Sequence, residues 1–201
     1  MNFLAHCAIA DRASDPAHHD LIAGGFLGDF VKGPVPDSLP GPLATGVRLH
    51  RRIDAYSNEH AGIAASCARF EPPLRRFAPI FVDVVADHLL ARHWVRFHPQ
   101  PLERFTADAY RAIDRHAHRL PAEGLRFFDY MRTADLLARY RDREAMERGL
   151  GAVLRRLRRE SLTADAIAAV DALLPDLEAD FLDYYPDLVT HAAGWLKTPP
   201  P

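Results

Sequence analysis

Ala78-Pro79-Ile80-Phe81-Val82-Asp83-Val84-Val85-Ala86-Asp87-His88-Leu89-Leu90-Ala91-Arg92-His93-Trp94 is the stretch that decides the fold. Phe81, Val84, Val85, Leu89 and Leu90 recur at helical spacing and cover most of a helix surface. A helix that is apolar on nearly every side is buried on nearly every side. The spacing predicts one long helix from about Pro73 to Phe97, ended by Pro99 and Pro101. Asp83, Asp87 and His88 then need partners, because an unpaired carboxylate in an apolar interior costs several kcal/mol. The alternative is a solvated acidic edge.

The same periodicity runs outward in both directions, and alternating strand patterns are missing. Met1 to Asp11 reads as a short helix or cap, and Asp20 as the cap of a helix from about Leu21 to Lys32 that Gly33-Pro34 stops. Val35 to Pro42 is a proline-rich loop, followed by a helix from about Leu43 to Tyr56. Further helices are expected near 102–120, 123–140, 143–160, 163–173 and 174–196, with a frayed tail over 198–201. No repeat and no domain linker interrupts the series. The expectation is an all-α, single-domain helical bundle over 1–201, with its chemistry in 1–100 and supporting helices in 101–197.

Composition narrows the class. With 201 residues, 48% hydrophobic and 26% charged, the chain can bury a core without staples. Cys7 and Cys67 form neither a disulfide framework nor a CxxC pair, which suits a reducing compartment. The first eleven residues carry no basic n-region and make a poor signal peptide, and no apolar run is long enough to span a membrane. The expected location is cytoplasmic. A net charge of -2 selects no partner by itself. The basic residues are almost all arginine, Lys32 and Lys197 being the only lysines. They concentrate in Arg155-Arg156-Leu157-Arg158-Arg159, which reads either as a solvated helix face or as a docking surface for an acidic partner. Nucleic acid is disfavoured by the near-neutral total charge and the lack of interleaved aromatics.

Three polar groups lie on faces that should be apolar. Asp29 sits among Phe26, Leu27, Phe30 and Val31, unless it occupies a narrow polar face beside Gly25 and Lys32. His50 and Asp54, four apart, continue the stripe of Leu43 and Val47. They can chelate one divalent cation or share an internal hydrogen bond. The third group is Asp83, Asp87 and His88. Carboxylates and imidazoles without thiolate, on three separate helices, suit Mn²⁺ or Mg²⁺ better than structural zinc. The expected ligands are Asp29, His50, Asp54 and Asp87, with His88 as a further one. Arg51, Arg52 and Arg76 are phosphate clamps in this reading and surface or ion-pair residues in the other. His93 is a general acid or simply packs.

The order of these ligands looks like that of the HD phosphohydrolases, although Asp87-His88 reverses the usual His-Asp pair. The opening Met1-Asn2-Phe3-Leu4-Ala5-His6, then Gly28-Asp29-Phe30-Val31-Lys32-Gly33, His50-Arg51-Arg52-Ile53-Asp54, Arg75-Arg76 and Asp87-His88-Leu89-Leu90-Ala91-Arg92-His93-Trp94 resemble the acyl carrier protein phosphodiesterases. The resemblance implies a helical fold related to the HD phosphohydrolases. It implies Mn²⁺-dependent hydrolysis that frees 4′-phosphopantetheine from holo-acyl carrier protein, a small acidic partner. It also implies that Asp29 stands at an aspartate needed for metal-dependent activity. The family often has a second histidine two residues after the first, where this chain has Ala8, and that departure argues against His6 as a ligand. The competing readings are an HD-type enzyme acting on a nucleotide or another small phosphoester, and a non-enzymatic module that binds carrier protein.

Overall fold

The computed structural model describes residues 1–14 and 18–198, and these contain helices and no strand. In chain order the α-helices are α1 (Phe3–Ala13), α2 (His19–Leu27), α3 (Gly41–Glu59), α4 (Ala61–Ala68), α5 (Ala78–Arg92), α6 (Trp94–Phe97), α7 (Leu102–Asp114), α8 (Ala122–Thr133), α9 (Leu136–Arg139), α10 (Arg143–Arg156) and α11 (Thr163–Lys197). Short 3₁₀ turns at Arg75–Phe77, Ala117–Arg119 and Glu160–Leu162 join some of them. One continuous apolar core runs from Leu4 in α1 to Ala192 in α11, so the all-α expectation holds. Among the described residues no helix is long and apolar enough to cross a membrane.

The helix boundaries differ from the expected ones for identifiable reasons. The second helix stops at Leu27 rather than Lys32, because the backbone tightens into a turn in which Phe30 N–H donates to Leu27 O at 2.9 Å. The long helix over 73–97 is instead a 3₁₀ turn, α5 and the one-turn α6, broken at His93. The segment over 123–140 breaks at Asp135, which adopts φ 46° ahead of α9. Unforeseen α4 is built of small residues with only Ile63 and Ser66 buried, so its periodicity is faint; His60 Nδ1 caps it by accepting from Gly62 N–H at 3.1 Å. The helix over 143–160 ends at Arg156. Arg159 N–H reaches Leu154 O at 2.8 Å and Arg158 N–H reaches Arg155 O at 3.0 Å, the two bonds of a Schellman cap. Arg158, at φ 57°, fills the left-handed position that glycine usually takes.

The two C-terminal helices are one. α11 runs 35 residues straight through Pro175 and Pro186. Each internal proline costs about 3 kcal/mol in a helix. Burying Leu177, Phe181, Tyr184, Tyr185 and Leu188 returns roughly 1.5–3 kcal/mol apiece, which outweighs both. The helix packs along α1, α3, α4, α5 and α10. The expected fraying beyond Thr198 falls on 199–201, outside the described residues.

α2 and α3 pack backbone against backbone, and glycine allows it. A Cβ on Gly24 would lie 2.6 Å from Gly46 Cα, and one on Gly46 would lie 2.7 Å from Leu21 O. Both obstacles are backbone and cannot swing aside. Gly46→Ala is therefore expected to cost about 1–3 kcal/mol, the usual range for overpacking. A urea titration followed by circular dichroism measures it as a lowered midpoint with the slope retained.

Candidate metal centre and pocket

The close approach of α2 and α3 brings His50 Nδ1 to 2.8 Å from Gly25 O. A carbonyl only accepts, so Nδ1 carries the proton and Nε2 presents its lone pair. Metal-binding histidines are commonly oriented by a backbone carbonyl in this way. The ring lies over Gly28, where a Cβ would stand 2.2 Å from His50 Cγ. That contact explains a glycine in the sequence beside Asp29.

His50 Nε2 faces Asp54 Oδ2 at 3.2 Å. Both are acceptors, so a proton or a cation is required between them. His6, from α1, stacks on His50 with ring centroids 3.8 Å apart and brings its Nε2 to 3.0 Å from Asp54 Oδ1. The approach is not aligned for a hydrogen bond, and neither His6 nitrogen has a partner although the residue is fully buried. Ligand atoms of His6, His50 and Asp54 all lie within 4.8 Å of one another. Burial pushes the His6 imidazole down to about 3, and the nearby His50 adds to the effect. It is thus a neutral imidazole at physiological pH. Burial works to raise the Asp54 carboxyl, but a proton carried between it and His50, with His6 and the Met1 ammonium alongside, outweighs burial and holds Asp54 well below the carboxylate range.

Asp54 opens onto a pocket of about 240 Å³ that Asp29 and Asp83 also line, together with Ser57, Asn58 and Pro79. Burial raises the carboxyls of both Asp29 and Asp83. Asp29 is nonetheless reached by solvent, because its open side is the pocket itself. The α-amino nitrogen of Met1 lies 3.1 Å from Asp83 Oδ1 and 3.5 Å from Asp54 Oδ1. The buried Ser57 hydroxyl has no hydrogen-bond partner. No arginine or lysine side chain is among the lining residues.

The other expected site residues are placed elsewhere. Asp87 is fully buried and accepts from Leu4 N–H and Ala5 N–H, one through each oxygen at 2.9 Å. Burial pushes its carboxyl up to about 7 against those two bonds. It caps the start of α1, so its oxygens are spent on backbone and not on a shared cation. His88 donates from Nδ1 to Tyr140 O at 2.8 Å and ties α5 to the α9–α10 corner. The expectation that His50 and Asp54 point toward Asp87 and His88 is corrected accordingly: they meet His6, and Asp54 lines the pocket that Asp29 also lines. His93 turns to Glu178 on α11. Arg51 donates to Val31 O at 2.8 Å and pins the turn that carries Asp29. Arg52 donates to His191 at 3.0 Å, and Arg76 lies exposed over the Phe77 ring. None of these three arginines lines the pocket.

His6 was set aside on sequence grounds, and the structure makes it part of the cluster. Its signal was a histidine in an otherwise apolar helix, Leu4 to Ala10, which has no room for an unpartnered imidazole. Ser57 and Asn58 follow Asp54 by three and four residues and share its face.

Comparison with known proteins identifies the family. The family model described as "Acyl carrier protein phosphodiesterase" matches residues 1–188. Proteins named acyl carrier protein phosphodiesterase from Escherichia coli O45:K1 (strain S88 / ExPEC) and from Escherichia coli (strain K12 / DH10B) are each 31% identical to the chain over 194 residues. The alignments cover 96% of this chain and 98% of each relative. No solved structure matches.

Two outcomes follow from this geometry. Gly28→Ala is expected to displace the His50 ring and weaken Mn²⁺ binding about 10–100-fold, the usual effect of disturbing a ligand's orientation; calorimetric titration of the metal reads it, with circular dichroism to check the helices. The second concerns acid. Unfolded, His6 takes up a proton near pH 6.5, and folded it does so only near pH 3. Its contribution to stability is complete above pH 6.5 and is lost as the pH falls toward 3. His6→Met should flatten the decline in melting temperature on acidification through that window, as measured by thermal denaturation at successive pH values.

Proposed function

The chain belongs to the acyl carrier protein phosphodiesterase family and is an enzyme of the phosphodiesterase class, and we propose that it uses a divalent cation to release 4′-phosphopantetheine from holo-acyl carrier protein. One observation carries the metal dependence. The pocket is lined by three carboxylates, Asp29, Asp54 and Asp83, against a single cation, the Met1 α-ammonium, so it would still repel a phosphodiester anion unless a further cation reversed its sign.

The donor set fits such an ion. His6 offers a buried nitrogen with no partner, His50 offers a lone pair fixed by its bond to Gly25, and Asp54 is held ionised between them. Imidazole and carboxylate without thiolate suit Mn²⁺, and Mg²⁺ as a second choice. In this reading His6, His50 and Asp54 hold the cation and Asp29 faces it across the pocket. When bound, the cation polarises the phosphoryl oxygens and lowers the pKa of water. Asp29, which lines the pocket and whose carboxyl burial raises above its ordinary value, is placed to take the proton of the attacking water. Asp83 and the unpartnered Ser57 hydroxyl orient what enters between them. Asp87 is a positioning residue, since the helix whose start it caps carries His6. The same histidine and carboxylate chemistry supports a relation to the HD phosphohydrolases. The bundle functions as one domain, with the reaction in the first hundred residues and support from the rest.

The test is incubation of the full chain with holo-acyl carrier protein, with and without Mn²⁺, followed by intact-protein mass spectrometry. Conversion to the apo form should stop with a chelator and resume with Mn²⁺. Asp29→Ala and Asp54→Asn should each lower turnover about 100-fold or more, with the helical spectrum intact. Turnover near the wild-type rate in Asp54→Asn would remove the metal centre from the reaction.

A further inference from the structure

The scissile phosphate is attached directly to the serine of the carrier protein. The carrier's own surface must therefore come within one phosphodiester of the pocket lip. Residues that hold it must lie at the same end of the bundle as the pocket.

Four contacts fix the direction of three helices around the pocket. A Cβ on Gly149 of α10 would lie 3.1 Å from Val84 Cγ1 of α5, and one on Gly151 would lie 3.5 Å from Thr163 Cγ2 at the start of α11. Arg143, which opens α10, pairs with Asp171, and His93, at the end of α5, pairs with Glu178. α5 and the first half of α11 thus run parallel, with α10 antiparallel to both. The end of α10 lies at the same end of the bundle as the start of α5. Arg156, the last residue of α10, is seven residues beyond Gly149 and lies roughly 10 Å along that helix from the contact, and Arg76 sits in the 3₁₀ turn that leads directly into the start of α5. Two basic segments far apart in sequence, Arg75-Arg76 and Arg155 to Arg159, are brought to one end. The pocket lies at that end too, since Pro79 lines it and stands three residues after Arg76.

These arginines are exposed. Glu71 and Glu160 are the acids within or beside the two segments, and they engage Arg75 and Arg155. Arg76, Arg156, Arg158 and Arg159 have no acidic partner among the described residues. A pocket of acids beside a rim of unpaired cations separates two tasks. The acids suit the cation, and the rim suits the acidic protein that delivers the phosphodiester. The Schellman cap turns Arg158 and Arg159 off the helix axis, so the segment 155–159 is a cluster around a helix end rather than one helix face.

We propose that the acidic carrier protein docks on a composite rim formed by Arg76 and by Arg156, Arg158 and Arg159, across the α5–α10 end of the bundle. This rests on the reaction proposed above. The test uses apo-acyl carrier protein, which has no phosphodiester to bind the pocket, and reads its dissociation constant at low and high ionic strength. Arg76→Glu and the triple variant Arg156→Glu/Arg158→Glu/Arg159→Glu should each weaken binding about tenfold or more at low salt, and less at high salt. The triple variant should keep the wild-type rate on bis(p-nitrophenyl) phosphate with Mn²⁺, which reports an intact fold and pocket; a triple Gln variant serves if the Glu variant does not fold. A wild-type dissociation constant in both variants overturns the rim, even if holo-carrier protein is hydrolysed. A chain that binds the apo carrier through these arginines but leaves the holo form intact keeps the rim and overturns the reaction.

Discussion

Everything at the pocket depends on how closely two backbones approach. Gly24 and Gly46 let α2 and α3 touch, and at that separation Gly25 O can take the Nδ1 proton of His50. With that proton fixed, the other nitrogen of His50 is directed at Asp54, and Gly28 leaves the room the ring needs. A larger residue at Gly28 would collide with the His50 ring, and one at Gly24 or Gly46 with the facing backbone. Asp87 adds the second constraint. It is a buried acid whose two bonds hold the first turn of α1 and thereby set His6 over His50.

The site is divided between polar groups that act on the pocket and polar groups that keep others in place. Asp87, His88 and Arg51 are of the second kind, each bonded to backbone in a neighbouring element. Asp29, Asp54 and Asp83 are of the first kind, all open to the same pocket. Within α5 the two roles are one turn apart: Asp83 faces the pocket and Asp87 faces the start of α1.

That division marks how far the sequence was legible. Helical periodicity gave the fold class and most helices, because burial of apolar faces is what both the pattern and the bundle record. It also flagged Asp29, His50, Asp54 and Asp83 as costly groups needing partners. It could not tell a carboxylate that meets a cation from one that meets two backbone N–H groups, since both are acids on a buried helix. Asp87 therefore reads as a ligand in the sequence, whereas the structure shows both its oxygens bonded to the start of α1. His6 was passed over for the opposite reason: its partners come from α3, more than forty residues away, and no local spacing encodes them. The continuous α11 was hidden by Pro175, a local signal that tertiary burial overrides.

α11 has a further consequence for how the molecule comes into being. Asp180 binds Ser66 and Arg69, Glu178 meets His93, and His191 stacks on Tyr56, so the last helix closes contacts more than a hundred residues apart in three of these four pairings. Such high contact order slows folding. A ribosome delivers α1 to α5, with the histidines and acids of the pocket, well before the helix that covers their apolar backs. During that interval the first half is a collapsed chain with uncovered hydrophobic surface, the kind of species that chaperones retain. The helices that carry the pocket gain their full apolar cover only when the last 35-residue helix packs on them.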